Sequence, residues 1–282
     1  MEFVRVIKGY NHLWAVKNPD KELDELTSLF EQWNDANYLF KFFRDNIDDL
    51  KSYFKIERVS QAIQDTFEDS DALEELILTF PYTEELDTLF KPLDVTDTKS
   101  MELTRQKARN WECERHDSWL RIYAIRLEPN VYVVTGGAIK LTRAMQDKEH
   151  TMIELNKLNK CKEFLKRNGV FDKDSFIDLK IMSRTIDFLK EHESNVPSKF
   201  QENAEWRREN REWLKWSRNV ALSLIDYMEI NGINRNGLAE RLGVTPQYVS
   251  KMLSGKVNFS FKSIADIENK LNIRLMNIME MA

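Results

Sequence analysis

The chain has 282 residues, 42% of them hydrophobic and 11% aromatic, so its composition is that of a folded protein and not of a disordered one. It has no apolar run of about eighteen residues and no apolar signal-peptide core, so we expect neither a membrane segment nor export. Two cysteines and four histidines without ligand spacing predict free thiols, no metal and no cofactor.

The net charge of −5 is unevenly distributed along the chain. The first hundred residues carry 11 Lys and Arg against 22 Asp and Glu, whereas the remainder is mildly basic. The acidic segments are typical of solvated helix faces, and a surface that mimics nucleic acid is the alternative interpretation. Basic clusters in the remainder can meet phosphate groups.

Apolar spacing predicts a strand and two helical regions before residue 80. Apolar residues interrupted by basic ones predict the strand from Phe3 to Tyr10. Large apolar side chains at helical spacing predict a helix that opens at Pro19 and continues to about Asn46. The same reasoning predicts a second helical region from about Asp48 to Phe80.

A β-hairpin is predicted where the composition changes beyond residue 100. Residues 119–127 alternate strictly and are rich in β-branched and aromatic residues, which is typical of a strand. The alternation places Arg121 and Tyr123 on one face and Arg126 on the other. A turn containing proline follows, and residues 131–134 predict the second strand.

Two glycines and a long basic helix follow the predicted hairpin. Gly136 and Gly137 indicate a bulge or a close backbone approach, and they lack the spacing of a phosphate loop. Residues 141–167 predict a helix that ends at Asn168 and Gly169.

Side chains able to handle phosphate lie on or beside the hairpin. They are His116, Arg121, Tyr123, Arg126, Lys140 and Arg143. Arginine and lysine can hold an RNA backbone and stabilise the charge that forms when a 2′-hydroxyl attacks phosphorus. His116 or Tyr123 can move protons. Basic strand residues are more often simply solvated, so the residues alone leave catalysis open.

Residues 171–199 have a weaker pattern, and we interpret them as a linker because Pro197 lies in a polar break. A strongly helical stretch follows from Phe200 to Asn231. Its tryptophans Trp206, Trp213 and Trp216 are either core residues or anchors for a partner.

Two short helices around a tight turn are predicted between residues 232 and 256. Asn234 is expected to cap the first helix and Gly243 to end it. Thr245 is expected to cap the second, with Pro246 at its first position. The inward residues are Leu238, Ala239, Leu242, Val249, Met252 and Leu253.

The outward face of the second helix is polar. Its candidate DNA-contacting residues are Thr245, Gln247, Tyr248, Ser250, Lys251, Ser254 and Lys256. No carboxylate occurs from residue 245 to 256, and these side chains can contact base edges and phosphates. A further helix over residues 260–271 is expected to pack beneath the pair. A helical hairpin with a solvated face is the alternative interpretation.

The motifs LAERLGV, TPQYVSKMLSGK and VNFSFKSI resemble the lambda-repressor-like, Xre-type DNA-binding domain over about residues 216–275. The resemblance implies an all-α helix-turn-helix fold with operator DNA as its partner. It also implies a homodimer, because one helix-turn-helix reads only half of an inverted repeat.

The run WLRIYAIRLEPNVYVVTGGAIKLTRAMQD resembles the RelE/HigB-like toxins of type II toxin–antitoxin systems, over about residues 1–170. The resemblance implies an α+β domain with a small antiparallel sheet and long helices on one face. It implies cleavage of messenger RNA on the ribosome, with Arg121, Arg126, Lys140 and Arg143 contacting phosphate or the transition state. Residues 182–282 then resemble a HigA-like antitoxin that neutralises its toxin and represses transcription.

The predicted organisation is an α+β domain at 1–170, a linker at 171–199 and a Trp-rich helix with a helix-turn-helix domain at 200–282. We expect a toxin–antitoxin fusion whose halves contact each other within or between chains, in the cytoplasm and at the nucleoid when bound to DNA. The alternative is a transcription regulator whose N-terminal domain is a catalytically inactive sensor or dimerisation domain.

Overall fold

The computed structural model describes residues 1–83, 86–93, 103–113, 115–182 and 197–275. The chain forms two compact units, each built from segments that are distant in the sequence. Unit 1 contains Met1–Glu31 and Glu68–Glu205, and unit 2 contains Gln32–Phe67 and Trp206–Ala282. The predicted domains are continuous stretches, whereas each unit combines two stretches. No helix in the described ranges is long and apolar enough to cross a membrane.

Unit 1 is built on a six-stranded sheet with the order β1-β2-β6-β5-β4-β3. The strands are β1 Glu2–Arg5, β2 Leu13–Lys17, β3 Phe90–Pro92, β4 Thr104–Ala108, β5 Leu120–Glu128 and β6 Val131–Ile139. The predicted sheet was wholly antiparallel, but β2 pairs with β6 in parallel, so the sheet is mixed. The predicted strand over residues 3–10 ends at Arg5, and β2 was missed because its apolar run is buried without alternation.

The helices have the following bounds in chain order. They are α1 Glu25–Trp33, α2 Ala36–Asp45, α3 Ile47–Asp49, α4 Val59–Thr83, α5 Leu86–Leu89, α6 Glu149–Arg167, α7 Lys173–Met182, α8 Phe200–Glu209, α9 Arg211–Ile230, α10 Arg235–Leu242, α11 Pro246–Met252 and α12 Phe261–Leu271. A π-helical turn covers Leu50–Phe54 and a 3₁₀ turn covers Met145–Asp147. The chain is therefore α+β, as predicted.

The single helix predicted from Pro19 to Asn46 is wrong, because two aspartates start separate helices. The Asp24 carboxylate accepts the backbone N–H groups of residues 26 and 27 and so begins α1. The Asp35 carboxylate accepts those of residues 37 and 38 and begins α2. Aspartate favours this capping geometry over a position inside a helix, which breaks the continuous apolar pattern.

The predicted hairpin is confirmed as β5 and β6, although β6 continues through the glycines. A register shift between Tyr123 and Ala124 provides the predicted bulge. A Cβ atom on Gly137 would lie 2.3 Å from the Arg121 carbonyl oxygen and 2.4 Å from a methyl group of Leu29. The close backbone approach predicted for this position is therefore present.

One core of unit 1 lies between the sheet and α6. Leu158 and Cys161 of α6 belong to the same buried cluster as Tyr123 and Ile125 of β5. Phe176 of α7 joins this cluster. A packed helix thus occupies part of the predicted linker. Residues 183–196 of the predicted linker lie outside the described residues.

A charged cluster joins α1 to α6 beside the β6 glycines. The Lys157 ammonium lies 2.9 Å from the Glu25 carboxylate and 2.7 Å from that of Glu154. Burial acts to raise the pKa of Glu25, but hydrogen bonds from Lys21 and Lys157 outweigh it and hold that pKa below its ordinary value. The cluster therefore favours one position of α6 against α1.

Unit 2 combines the C-terminal helices with residues 32–67. The Ala36 backbone N–H donates to the Ser254 carbonyl oxygen at 3.2 Å. The Arg218 guanidinium donates to the Asn34 side-chain oxygen at 2.6 Å and lies 4.5 Å from the Phe67 ring centroid. Residues remote in sequence therefore complete the packing around α9.

Replacing Gly137 with alanine tests the close approach at β6. We expect the Gly137→Ala change to lower the free energy of unfolding by about 2 kcal/mol, because the new methyl group meets backbone on one side and Leu29 on the other. Gly9→Ala is the control, since Gly9 has φ +79° but open space around it. Urea unfolding should show a loss of about 1 kcal/mol or less for the control. Equal losses would contradict the steric explanation.

Candidate functional site

The first helix of the predicted helix-turn-helix is α10, and its ends are as predicted. The Asn234 side-chain oxygen accepts the Gly237 backbone N–H at 3.0 Å. Gly243 ends the helix with φ +63°, a conformation that favours glycine. Leu238, Ala239 and Leu242 are buried, as predicted.

The second helix, α11, begins at Pro246 and is held by its predicted cap. The Thr245 hydroxyl accepts the Tyr248 backbone N–H at 3.2 Å. The predicted inward residues Val249, Met252 and Leu253 are buried. Local capping and apolar spacing therefore fix which face of α11 is presented outward.

The outward face of α11 divides into exposed and locally bonded side chains. Thr245, Gln247, Tyr248 and Lys251 are exposed, whereas Ser250, Ser254 and Lys256 are partly buried. The hydroxyls of Ser250 and Ser254 donate to backbone carbonyls one turn earlier. Gln247, Tyr248 and Lys251 are therefore the predicted contacts with the most freedom to reach a ligand.

A second site lies in unit 1, where β4, β5 and the segment after β6 border a cleft of about 420 Å³. Six cationic residues line it: Arg105, Lys107, Arg109, Arg121, Lys140 and Arg143. Trp111 and Tyr123 also line it, and no lining residue in the described part of the chain is Asp or Glu. We call this site the basic cleft.

Strand pairing explains how the basic cleft forms. Lys107 of β4 lies opposite Tyr123 of β5, so the two side chains share a face of the sheet. The cleft brings together four predicted residues: Arg121, Tyr123, Lys140 and Arg143. Sequence reasoning missed the β4 cations and Trp111. A signal was present, because residues 105, 107 and 109 place a cation at every second position.

Charges in the basic cleft perturb one another. Burial, and then the charge of Arg109, lower the pKa of Arg121 to about 10. Burial, followed by the charges of Arg121 and Lys107, lowers the pKa of Lys140. These shifts indicate crowded positive charge. Burial raises the pKa of Tyr123, which therefore stays protonated near neutral pH.

Comparison with known proteins identifies the C-terminal helices. A helix-turn-helix family model matches residues 224–276. Residues 224–276 form an Xre-family helix-turn-helix domain. The C-terminal part of the chain is therefore DNA-binding and of the transcription-regulator type.

No curated protein and no solved structure matches the chain. The resemblance of residues 1–170 to RelE/HigB-like toxins therefore stays a prediction, as does the ribosome as a partner. The Xre-family domain covers only part of the chain, and the basic cleft lies outside it.

Two predicted catalytic residues do not line the basic cleft. Arg126 lies an odd number of positions from Arg121 on β5 and so points to the opposite face. Its guanidinium lies 3.0 Å from the Asp87 carboxylate, which also accepts the Tyr132 hydroxyl. His116 stacks on a tryptophan ring at a centroid distance of 4.0 Å.

The three predicted partner-binding tryptophans precede the Xre-family domain. Trp206 and Trp216 are 46% and 44% exposed. The Trp213 indole N–H donates to the Asn210 side chain, and its ring meets that of Trp206 edge to face at 5.8 Å. Exposure of this kind suits a partner surface, and partner binding stays a prediction.

Asp87→Asn tests whether Arg126 has a structural role. Burial opposes ionisation of Asp87, but hydrogen bonds from Tyr132, the Asn130 backbone and Arg126 outweigh it, so the pKa of Asp87 is lowered. The ionised Asp87 carboxylate therefore stabilises the folded state. This stabilisation is present above the unfolded-state pKa of about 3.9 and is lost as the pH falls through the lowered pKa of the folded state.

We expect Asp87→Asn to cost on the order of 1 kcal/mol at pH 7, since water screens the half-exposed pair. The difference from the unmodified protein should shrink below about pH 4. Urea unfolding of both proteins at pH 7 and pH 3 measures this difference in the free energy of unfolding. An undiminished difference at pH 3 would contradict this role of the ionised carboxylate.

Proposed function

We propose that this protein is a transcription regulator that binds an operator with the outward face of α11 in the major groove. The observation that carries the proposal is the exposed set Gln247, Tyr248 and Lys251, on a helix whose opposite side is buried. Glutamine can pair with an adenine edge, and lysine with guanine or phosphate. Two copies on an inverted repeat would place two such helices one helical turn apart.

Local contacts distinguish the cations that hold the helices together from those free to contact DNA. The Arg241 guanidinium donates to the Tyr227 hydroxyl at 2.6 Å and to the Asn231 side chain at 3.1 Å. This arginine therefore braces α10 against α9. Lys251, by contrast, projects from α11 into solvent.

Gln247→Ala and Lys251→Ala test the interface. We expect each change to weaken binding to a palindrome upstream of the gene by about tenfold, because a base or phosphate contact is lost. Lys215→Ala is the matched control, since Lys215 is an exposed cation of unit 2 on α9. Gel shifts over a salt series measure affinity. Unchanged binding in both α11 variants would exclude this face as the DNA interface.

A second candidate function is RNA cleavage by unit 1, within a toxin–antitoxin fusion whose C-terminal half neutralises it. The observation that favours it is the grouping of Arg121, Lys140 and Arg143 around Tyr123. Cations so placed can hold phosphates and stabilise negative charge in a transition state.

Cleavage also requires a group that accepts the 2′-hydroxyl proton. The described residues lining the basic cleft include neither a carboxylate nor an imidazole, and the raised pKa of Tyr123 leaves almost no phenolate near neutral pH to act as a base. The geometry therefore supports phosphate binding better than catalysis. For the N-terminal half, the sensor alternative is the stronger proposal.

The second candidate predicts that the full-length protein cuts messenger RNA on ribosomes once Trp206→Ala and Trp216→Ala relieve neutralisation by the C-terminal half, and that adding Arg143→Ala abolishes the cutting. The full chain is the right material, because division near residue 181 would separate the two segments of unit 2. Primer extension locates cut sites, with Arg167→Ala as a control that removes an exposed cation elsewhere. Intact message under all conditions would remove this candidate.

A further inference from the structure

Cations enter the basic cleft from three separate parts of the chain. Arg105 and Lys107 lie on β4, Arg121 lies on β5, and Lys140 and Arg143 follow β6. Bringing like charges together costs free energy, most of all where burial limits screening by water. Among the described residues no carboxylate lines the cleft, and the convergence of these cations on it therefore indicates an anionic ligand.

Backbone carbonyls hold two of the buried cations in place. The Lys140 ammonium donates to the Thr142 carbonyl at 2.6 Å and also to that of Arg143. The Arg121 guanidinium donates to the Leu120 carbonyl at 2.8 Å. A neutral carbonyl orients a cation but does not cancel its charge. Asp117 lies 3.2 Å from the Arg109 guanidinium, and Asp69 and Asp117 also act on Arg121, so these carboxylates offset part of the positive charge of the cleft and the remainder is available to a ligand.

Tyr123 provides an independent observation at the same place. Its side chain is 1% exposed and lines the basic cleft, yet its hydroxyl makes no hydrogen bond in the described structure. A buried hydroxyl without a partner costs free energy that phenylalanine would avoid. Because burial keeps this hydroxyl protonated, it can donate to an anionic oxygen that enters the cleft.

The size of the cleft limits the ligand. A volume of about 420 Å³ lies in the range of roughly 300–1,000 Å³ that is common for small-molecule sites. The cations form one cluster, whereas proteins that bind an extended single strand of nucleic acid present a groove that follows the nucleic-acid backbone. Trp111 lines the same cleft and is partly exposed, with its indole N–H fixed by a bond to the Leu89 carbonyl. A fixed aromatic ring suits stacking with a planar base.

We propose that the basic cleft binds a free nucleotide carrying a di- or triphosphate group, with Tyr123 donating a hydrogen bond to a phosphate oxygen. Lys107, Lys140 and Arg143 neutralise the phosphates, and Trp111 supports the base. The site is separate from the α11 surface, so it does not depend on the DNA-binding proposal.

Calorimetric titration of the full-length protein with adenosine and guanosine triphosphates, and with pyrophosphate, tests the proposal. We expect saturable binding at one site per chain, tighter for a nucleotide than for pyrophosphate and weaker at high salt. Arg143→Ala should weaken nucleotide binding about tenfold or more. Arg167→Ala removes an exposed arginine from α6 and should leave the affinity unchanged.

Tyr123→Phe separates a ligand contact from a structural role. The hydroxyl has no partner among the residues that the structure describes, so its removal should leave the melting temperature unchanged or raise it. The same change should weaken nucleotide binding about tenfold, through the loss of a hydrogen bond to a charged group.

Three results would overturn the proposal. They are no saturable binding of any phosphate compound, unchanged affinity in both Arg143→Ala and Tyr123→Phe, and tighter binding of a short single-stranded RNA than of the nucleotides. A gel shift with operator DNA on the same Arg143→Ala protein distinguishes this failure from failure of the DNA-binding function, because that variant should bind DNA normally.

Discussion

Side-chain alternation along β5 decides which charged residues of unit 1 can act together. Tyr123 and Arg121 point to the face that they share with Lys107 of β4, and the cations after β6 reach the same cleft. Arg126, on the other face, is engaged by Asp87. A slip of one residue in the β4–β5 register would move Arg105 and Lys107 of β4 to the opposite face, so the full cluster of cations forms only in this register.

The glycines of β6 allow the β5–β6 hairpin to pack closely against α1 and α6. Gly137 leaves room for the Arg121 carbonyl and for Leu29 of α1. Gly136 has φ +149° and faces the Glu154 carboxylate, a member of the charged cluster with Lys157 and Glu25. Two residues without side chains thus permit close packing of backbone and buried charge. A buried ion cluster of this kind favours one arrangement, because a lost partner would leave a charge unpaired.

Unit 2 reaches its structure by a different route. Asn234, Gly243 and Thr245 define the ends of α10 and α11 through contacts within a few residues. The unit is nevertheless not made by the C-terminal segment alone. The Ala36 backbone N–H donates to the Ser254 carbonyl, directly after the helix that carries the proposed DNA-contacting residues. Residues 32–67 are therefore part of the support of this helix.

The sequence by itself determined the features that depend on near neighbours. These include the caps and buried faces of the helix-turn-helix, the β5–β6 hairpin and the glycine bulge, since capping and periodicity act over a few residues. Only the tertiary structure decided what depends on distant pairing. It placed Lys107 opposite Tyr123 and formed the ion pair between Arg126 and Asp87. It also added β2 to the sheet in parallel. Strand register and partner choice are set by packing between remote segments, which a local pattern does not encode.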